Sequence, residues 1–285
     1  MFQPVTGSAM SLCYSIRRIF KSQVEALWRL SWVWRLNNPA KTDLHLDTYV
    51  QQVLAEYKEY IKKSLRPKRV PMTPGVVLNN EDCPIVPDPH KQKFFRSFLA
   101  KLQFAASWIH FDILLMVSTL AQFCASAGPS HWAVLHHLME YLEAFPSFKL
   151  TYRRRTGVDD GLSAYADADW GNSSSRRSTS GNLCFYNRSP ILWRSKMQKT
   201  TALSTAEAEY YSASTAATEV IYLHNLLENM GFAQKSPTLV YEDNTACIVT
   251  ASSGGTTSSG AGNVPSTSTS GSTSRTKWSR MARCG

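Results

Sequence analysis

The spacing of apolar residues changes near residue 160, and this change limits the folds open to the chain. From there, Leu162, Ala164 and Ala166 alternate with more polar neighbours as far as Asp169. A two-residue period is typical of a β-strand, because successive side chains point to opposite faces. Before residue 150 the apolar residues recur at helical spacing instead. We therefore expect a helical part followed by a part that contains strands.

The helical part begins with the stretch "HLDTYVQQVLAEYKEYIKK", residues 45–63, which has the pattern of an amphipathic helix. The same period predicts further helices at 94–108, 112–125 and 131–144. We expect a small helical unit. After the first helix, three closely spaced prolines predict an extended connector. Its five basic residues are compatible with phosphate contacts and equally with a solvated surface.

The strand-containing part continues beyond Asp169 with a mixture of elements. Its pattern predicts strands at 181–187 and 191–198, a long helix at 204–230, and a returning strand at 237–243. Arg188, Ser189 and Pro190 are expected to form a hairpin turn. Gly231 is expected to end the helix. Three strands, a helix and a returning strand predict an α/β layer.

The two ends of the chain differ from this middle part. Residues 14–36 are basic and aromatic, which is compatible with a transit or membrane-surface helix and favours a helix whose apolar side needs a partner. Residues 251–285 begin with a tract of Ser, Thr and Gly that cannot bury enough apolar surface, so we expect disorder. The predicted domains are a degenerate segment at 1–44, a helical region at 45–150, an α/β domain at 160–250 and the tail.

The charge of the chain indicates the kind of partner to expect. Thirty-one Lys and Arg residues against 21 Asp and Glu residues give a net charge of +10. Such an excess is typical of proteins that meet nucleic acid or an anionic membrane, although a basic soluble protein also shows it. The six cysteines contain no C-x-x-C pair, which favours a reducing compartment over a zinc or disulfide framework. No apolar run approaches the roughly 18 residues of a membrane span.

Several acidic residues stand out in this basic chain. If the first strand continues to Trp170, Asp167 and Asp169 point to one face, where two carboxylates repel each other unless a cation lies between them. In the long helix, Ser204 and Glu207 have the spacing of a capping box, which gives Glu207 a structural role. Glu209 instead shares the small-residue side of that helix, where an acid needs a partner or a metal.

Asp243 closes the returning strand, directly before a predicted helix start at Asn244. Ligands of open sheets bind at the ends of strands. Strand, helix and strand thus offer Asp167, Glu209 and Asp243, three oxygen donors of the type that Mg²⁺ or Mn²⁺ prefers.

The motifs around these acids together resemble a known family. The stretches that carry the resemblance are "YADADW", "RSTSG", "WRSK", "AEAEY" and "DN", at 165–170, 177–181, 193–196, 206–210 and 243–244. They resemble the ribonuclease H domain of Ty1/copia-type retrotransposon polyproteins. Upstream, "YVQQVLAEY", "FFRSFLAKLQFAA" and "HWAVLHHLMEYL" are similar to the stretch that joins reverse transcriptase to that domain. The resemblance covers roughly residues 45–250 and implies a ribonuclease H-like mixed sheet with a long packed helix.

The resemblance also implies a function. It makes Asp167, Glu209 and Asp243 the catalytic, metal-binding acids, which hold two Mg²⁺ (or Mn²⁺) ions at the scissile phosphate of RNA paired with DNA. By the same resemblance, Asp169 is not a metal ligand. Arg194 and Lys196 on the third strand become contacts to the nucleic-acid backbone. The implied partners are an RNA/DNA hybrid and other parts of a retroelement polyprotein, with no membrane. We expect the cytoplasm as location, with the nucleus or virus-like particles as alternatives.

The sequence also departs from the family pattern. Near its end "SRTK" is followed by Trp278, Ser279 and Arg280, and Arg280 stands where the pattern has a fourth acid. The Tyr-x-Asp-Asp turn of a polymerase does not occur, so we expect no DNA synthesis. Three interpretations stay open: a metal-dependent nuclease, a catalytically inactive nucleic-acid-binding relic, and an integrase-like or unrelated structural protein. The acid order Asp, Glu, Asp argues against an integrase.

Overall fold

The computed structural model describes residues 34–38, 41–73, 75–153, 161–171, 176–234, 236–252 and 275–276. The chain divides into two compact units. The first comprises Met1–Pro74, Pro84–Gly157 and His224–Ala233, and the second comprises Gly75–Cys83, Val158–Leu223 and Gln234–Gly285. Most of the predicted N-terminal helix at 14–36 lies outside the described residues, and so does Arg280.

The first unit combines four helices with a small sheet. Its elements are β1 (Trp34–Asn38), β2 (Lys41–His45), α1 (Asp47–Ile61), α2 (Pro89–Trp108), α3 (Leu114–Ala121), α4 (Pro129–Ala144) and β3 (Lys149–Arg153). A 3₁₀ turn at Phe111–Ile113 precedes α3. The three strands form an antiparallel sheet in the order β1-β2-β3.

The predicted helices of this unit are confirmed, with two shifted ends: α2 starts earlier than predicted, and α3 ends at Ala121, four residues before the predicted end at 125. Helix α1 buries Val50, Val53, Leu54 and Tyr57, as its period predicts. Helix α2 begins at Pro89, five residues before the predicted position. The reason is a start signal that precedes the apolar pattern. The Asp88 side chain accepts hydrogen bonds from two backbone N–H groups of the first turn, and proline occupies the first helical position.

The small sheet was not predicted. Its first strand contradicts the end of the helix predicted at residues 14–36. Residues 34–36, expected in a helix, belong to strand β1. Strand β2 pairs with β3, more than 100 residues further along the chain, and the Thr151 hydroxyl donates a 2.7 Å hydrogen bond to Asp43 Oδ1. Asp43 is buried, and the hydrogen bonds from Lys41 and Thr151 lower its pKa against the opposing effect of burial.

The second unit contains the predicted α/β layer. Its elements are β4 (Leu162–Asp169), β5 (Thr179–Tyr186), β6 (Ser189–Met197), α5 (Thr205–Asn229), β7 (Leu239–Tyr241), α6 (Thr245–Ser252) and β8 (Arg275–Thr276). The residues of α5 from His224 onward group with the first unit. The sheet order is β6-β5-β4-β7-β8, in which β4 and β7 run parallel and the other neighbours run antiparallel. The predicted α/β class, with a mixed sheet and a long helix, is confirmed.

The strand bounds, the hairpin turn and the tail of this unit differ from the predictions. Strand β5 begins at Thr179 and not at 181, and β7 covers only Leu239–Tyr241 of the predicted 237–243. The β5–β6 hairpin turns at Asn187 and Arg188, while Ser189 and Pro190 already belong to β6. Both turn residues have positive φ, 49° and 63°, which matches the twist of a two-residue hairpin loop. Within the predicted disordered tail, α6 continues through Ser252, and Arg275–Thr276 pair with β7. The other tail residues lie outside the described part.

Helix α5 has the ends that its sequence predicts. Gly231 follows it with φ +85°. The backbone N–H of Gly231 donates to the Glu228 carbonyl, and that of Phe232 donates to the Leu227 carbonyl. This pair of hydrogen bonds is the Schellman motif, in which glycine is favoured because it adopts positive φ without strain.

Among the described helices, none has the length and apolar character needed for a membrane span.

Candidate active site

Strand β4 presents the first acid of the site. Its burial alternates as predicted, with Ala164 and Ala166 buried and Asp167 exposed. The Ser212 hydroxyl of α5 donates a 2.7 Å hydrogen bond to the backbone carbonyl of Asp167. Because Ser212 is fully buried, this bond fixes α5 against the strand at the residue that carries the acid.

The start of α5 separates the roles of its two glutamates. The Ser204 hydroxyl accepts a hydrogen bond from the Glu207 N–H at 3.1 Å. The Glu207 carboxylate in turn accepts from the Leu203 N–H at 2.7 Å, one residue earlier than in the predicted capping box. Glu207 is therefore used at the helix end, where it is exposed. Glu209 is buried on the sheet-facing side with Ala213, as predicted.

A buried glutamine holds the same turn of α5 in place. The Gln198 side-chain amide donates to Ser180 Oγ and to the carbonyl of Ala208, each at 2.9 Å. Ala208 precedes Glu209, so the bond restrains the backbone that carries this carboxylate. Trp170 uses its indole N–H in a 3.2 Å bond to the Ala202 carbonyl. The Trp170 side chain is nevertheless 43% exposed.

The third acid follows the end of β7. That strand pairs with β4 through three consecutive registers, from Ser163–Leu239 to Tyr165–Tyr241. It ends at Tyr241, so Asp243 lies two residues beyond the strand and does not close it as predicted. Asn244 caps α6, since its side-chain oxygen accepts a hydrogen bond from the backbone N–H three residues on, at 2.9 Å. The turn between strand and helix therefore presents Asp243 to solvent.

These elements bring the three predicted acids together. Asp167, Glu209 and Asp243 each place one carboxylate oxygen within 4.8 Å of the other two. Asp167 and Asp243 are exposed, while Glu209 is 7% exposed. One carboxylate oxygen of Glu209, Oε2, is buried and has no hydrogen-bond partner in the described part of the chain.

The electrostatics of the cluster follow from this geometry. Burial raises the pKa of Glu209 to about 8, and the nearby acids Glu242, Asp167 and Asp243 add to the increase. A hydrogen bond with the backbone of Ala168 acts in the opposite direction. The cluster consists wholly of carboxylate oxygens, the donors that Mg²⁺ and Mn²⁺ prefer.

Sequence reasoning missed one acid beside the cluster. Glu242 is 5% exposed, and its Oε1 accepts a 3.0 Å hydrogen bond from the Asn244 N–H. Burial raises its pKa, and Asp243 and Asp167 add to the increase. The signal that could have found it is strand parity. Val240 is buried, and Glu242 lies two residues further on the same side.

The two predicted nucleic-acid contacts lie on one face of β6. Arg194 is paired with Asn182 across the β5–β6 ladder, and Lys196 with Ser180. Directly opposite residues share a face of the sheet, so both cations lie on the side of Asn182 and Ser180. Arg194 forms a 2.7 Å ion pair with Glu219 of α5, while Lys196 is exposed.

Comparison with known proteins shows what this chain is similar to. The chain is 29% identical over 209 residues to a retrovirus-related Pol polyprotein from transposon TNT 1-94 of Nicotiana tabacum, covering 72% of this chain and 15% of that protein. It is 31% identical over 206 residues to the corresponding polyprotein from transposon RE1 of Arabidopsis thaliana, covering 71% of this chain and 13% of the relative.

A third relative is much shorter. The secreted RxLR effector protein 161 of Plasmopara viticola is 40% identical over 113 residues, which covers 39% of this chain and 78% of that protein. No family model and no solved structure matches the chain.

The fold and the site define the class of protein: a mixed α/β domain with a cluster of three convergent carboxylates. The relatives define the family: the chain belongs to the copia/Ty1-type retrotransposon Pol polyproteins. It spans about a seventh of the length of the polyproteins it matches.

Proposed function

We propose that the second unit is a ribonuclease H-type domain, which hydrolyses the RNA strand of RNA/DNA hybrids with the help of Mg²⁺ or Mn²⁺. The convergence of Asp167, Glu209 and Asp243 carries this proposal. Membership in the retrotransposon Pol family supports it, because reverse transcription produces such hybrids. The order of the elements, three strands, a long helix and a parallel returning strand, is also the one expected for this domain.

The residues present fit a divalent metal. Glu209 has an unpartnered, buried oxygen, and burial together with the nearby acids raises its pKa; a cation would compensate both costs. Asp167, Glu209 and Asp243 would hold the metal. When bound, such ions supply an activated water and stabilise the leaving oxygen of a phosphodiester.

The chain's own residues prepare the site for a substrate. The exposed acids Asp167 and Asp243 leave the cluster open to solvent, where a phosphodiester can approach. Glu209 lies beneath them and is restrained by its contact with the Ala168 backbone. Ser212 and Gln198 fix the register of α5 on the sheet, so the spacing of the acids is set before substrate arrives.

A second candidate function is a catalytically inactive, nucleic-acid-binding relic without polymerase activity. Arg280 favours it, since it occupies the position of the fourth acid in the family pattern. A cation at that position would oppose metal binding. The two candidates make different predictions for metal binding and for cleavage.

Cleavage of an end-labelled RNA/DNA hybrid by the full chain, with Mg²⁺ or with EDTA, tests the proposal. We expect Asp167→Asn to lower the rate by about 10³-fold, because it removes several kcal/mol of metal-dependent stabilisation. The matched control is Asp169→Asn, on the same strand and also exposed, which should change the rate by less than about 3-fold.

Calorimetric titration with Mn²⁺ separates the alternatives further. Wild type and Asp169→Asn should bind the ion, whereas Asp167→Asn and Glu209→Gln should not. Hybrid binding without Mn²⁺ binding or cleavage would overturn the nuclease proposal and support the inactive relic. Equal cleavage by wild type and Asp167→Asn would remove the acid cluster from the mechanism.

A further inference from the structure

The first unit carries a concentrated basic segment, Lys62–Arg69, directly after helix α1. Five of its eight residues are Lys or Arg. They are all exposed: Lys62, Lys63, Arg66, Lys68 and Arg69. None of these side chains forms an ion pair with an acid of the described residues, in contrast to Lys58, which pairs with Glu143 at 2.7 Å. The charge of the segment is therefore not compensated locally and attracts anions.

The backbone of the basic segment is anchored on helix α4. The Arg66 N–H donates to Glu140 Oε1 at 3.1 Å, and the Lys68 N–H donates to the Glu140 carbonyl at 3.1 Å. A ring nitrogen of His137 lies 3.0 Å from the Val70 carbonyl. A segment fixed in this way loses less conformational entropy when it binds a ligand than a mobile loop does.

A cavity of about 490 Å³ lies beside the anchored segment. It is lined by Lys63, Ser64, Arg66, His136 and Glu140. The two cations and the hydroxyl group are donors, the chemistry that recognises phosphate oxygens. Glu140 is the one acid in this lining. Its Oε1 accepts a hydrogen bond from the Arg66 N–H and lies 3.6 Å from His136 Nε2. The Glu140 carboxylate is therefore contacted by groups of the site itself.

We propose that the basic segment and this cavity form a binding site for the phosphodiester backbone of nucleic acid. The lining favours nucleic acid over a membrane, because all five of its side chains are charged or polar and none belongs to a hydrophobic residue. Membrane-surface segments are amphipathic helices with a basic face and an apolar face. The residues from Ser64 to Arg69 are not helical, and Pro67 interrupts them.

This site is independent of the proposed nuclease site. It uses residues of the first unit alone and requires neither a metal ion nor cleavage. Its test therefore runs in EDTA with the full chain. The probe is a fluorescently labelled RNA/DNA hybrid, whose dissociation constant is measured by anisotropy over a series of potassium chloride concentrations.

The diagnostic variant is Lys63→Gln/Arg66→Gln. We expect it to weaken binding by about 10-fold or more and to lower the slope of log K against log salt by about 2, since each lost phosphate contact removes about one counterion. The charge-matched control is Lys91→Gln/Lys93→Gln on α2, whose residues are also exposed. It should change affinity by less than about 3-fold, with the slope unchanged. The charge-preserving variant Lys63→Arg/Arg66→Lys should keep the wild-type slope.

Three results would overturn the proposal. An equal loss in the α2 control would assign the binding to net charge alone. An unchanged slope in the diagnostic variant would exclude phosphate contacts at this segment. If the diagnostic variant lost binding to vesicles of phosphatidylcholine and phosphatidylserine but kept its hybrid binding, the segment would be assigned to a membrane. Because the assay runs in EDTA, neither metal binding nor cleavage enters it, so failure of the nuclease proposal leaves this test intact.

Discussion

The two units of the chain fill their interiors with different kinds of side chain. Among the described residues, the twelve largest fully buried side chains, Phe95, Leu102 and Leu135 among them, all belong to the first unit. In the second unit, the side chains with no exposure are small, as at Ala208 and Ala216. Hydrophobic stabilisation grows with buried apolar area, so the first unit gains more of it per buried residue. The second unit gains a close approach of helix and sheet instead.

The close approach in the second unit is what lets its acids meet. Small residues on α5 allow the helix to lie against the sheet, and buried polar groups fix its register. Ser212 reaches the backbone of β4 at 2.7 Å and Asn182 of β5 at 3.3 Å. Buried polar networks of this kind specify one arrangement because an unsatisfied member is costly. The comparison therefore predicts that the units respond differently to changes in side-chain volume.

The largest effect is expected from a cavity in the first unit. Leu135→Ala on α4 removes a fully buried side chain and should destabilise that unit by about 2–5 kcal/mol. Hydrogen exchange measured by mass spectrometry should show the loss in peptides of α1, α2 and α4. Leu115→Ala, at a side chain that is 36% exposed, is the control. Equal acceleration of exchange for both variants would contradict the assignment of the stability to this core.

A smaller effect is expected when the helix of the second unit is moved outward. Ala216→Leu adds volume at a fully buried position and should cost about 1–3 kcal/mol by overpacking. It should also weaken Mn²⁺ binding, because Glu209 is carried away from the strand acids. Ala217→Leu, at the adjacent half-buried position, is the matched control. Retained Mn²⁺ affinity in Ala216→Leu would show that close packing is not needed for the site.

Local patterns predicted the parts of the second unit that depend on neighbouring residues. The alternation from Leu162 to Asp169 matches β4, and the capping residue Ser204 separated Glu207 from Glu209. These signals are local, because side-chain direction and helix ends follow from a few adjacent residues. The convergence of Asp167, Glu209 and Asp243 is not local. Strand parity, helix capping and the strand end selected these three acids, and the family resemblance implied that they hold shared metal ions.

Long-range pairing is what the sequence could not predict. Strands β2 and β3 are five residues each and are joined by a pairing between Asp43 and Thr151. Short strands with mixed polar residues carry little signal of their own, since their stability comes from the partner strand and from burial. Glu242 was missed for a related reason. It directly follows β7, a strand of three residues, so the parity that puts it on the side of Val240 rests on one buried neighbour.

The acid cluster makes the metal-free second unit sensitive to pH. Glu209 has an ordinary pKa near 4.5, and the folded protein raises it to about 8. The folded state thus binds the proton more tightly, so this stabilisation is present below pH 4.5 and is lost as the pH rises towards about 8. In EDTA, the melting temperature should fall by on the order of a few degrees across this range.

Divalent metal should change that dependence. With Mn²⁺ bound, the carboxylates are compensated by the ion, and the fall in melting temperature between pH 6 and 8 should shrink or reverse. Glu209→Gln should flatten the curve in EDTA, while Glu207→Gln should not. A curve that is the same for Glu209→Gln and wild type would show that another group titrates.

The smallest effect concerns the ion pair between Arg194 and Glu219. Their side chains are 49% and 12% exposed, so the pair should contribute no more than about 1 kcal/mol to stability. The sequence predicts that Arg194 contacts the nucleic-acid backbone. In this structure, however, its guanidinium lies 2.7 Å from the Glu219 carboxylate. Glu219→Gln should therefore raise the affinity for a hybrid by about 2- to 5-fold, since it removes a competing anion and frees the guanidinium.

A double-mutant cycle decides whether that gain passes through Arg194. In the Arg194→Gln background, Glu219→Gln should give no further gain in affinity at low salt, because no guanidinium is left to release. If Glu219→Gln strengthens binding equally in both backgrounds, its effect is one of general charge. The comparison with Lys196→Gln is informative in either case. Lys196 is exposed on the same face and carries no such pair, so its loss should lower affinity directly.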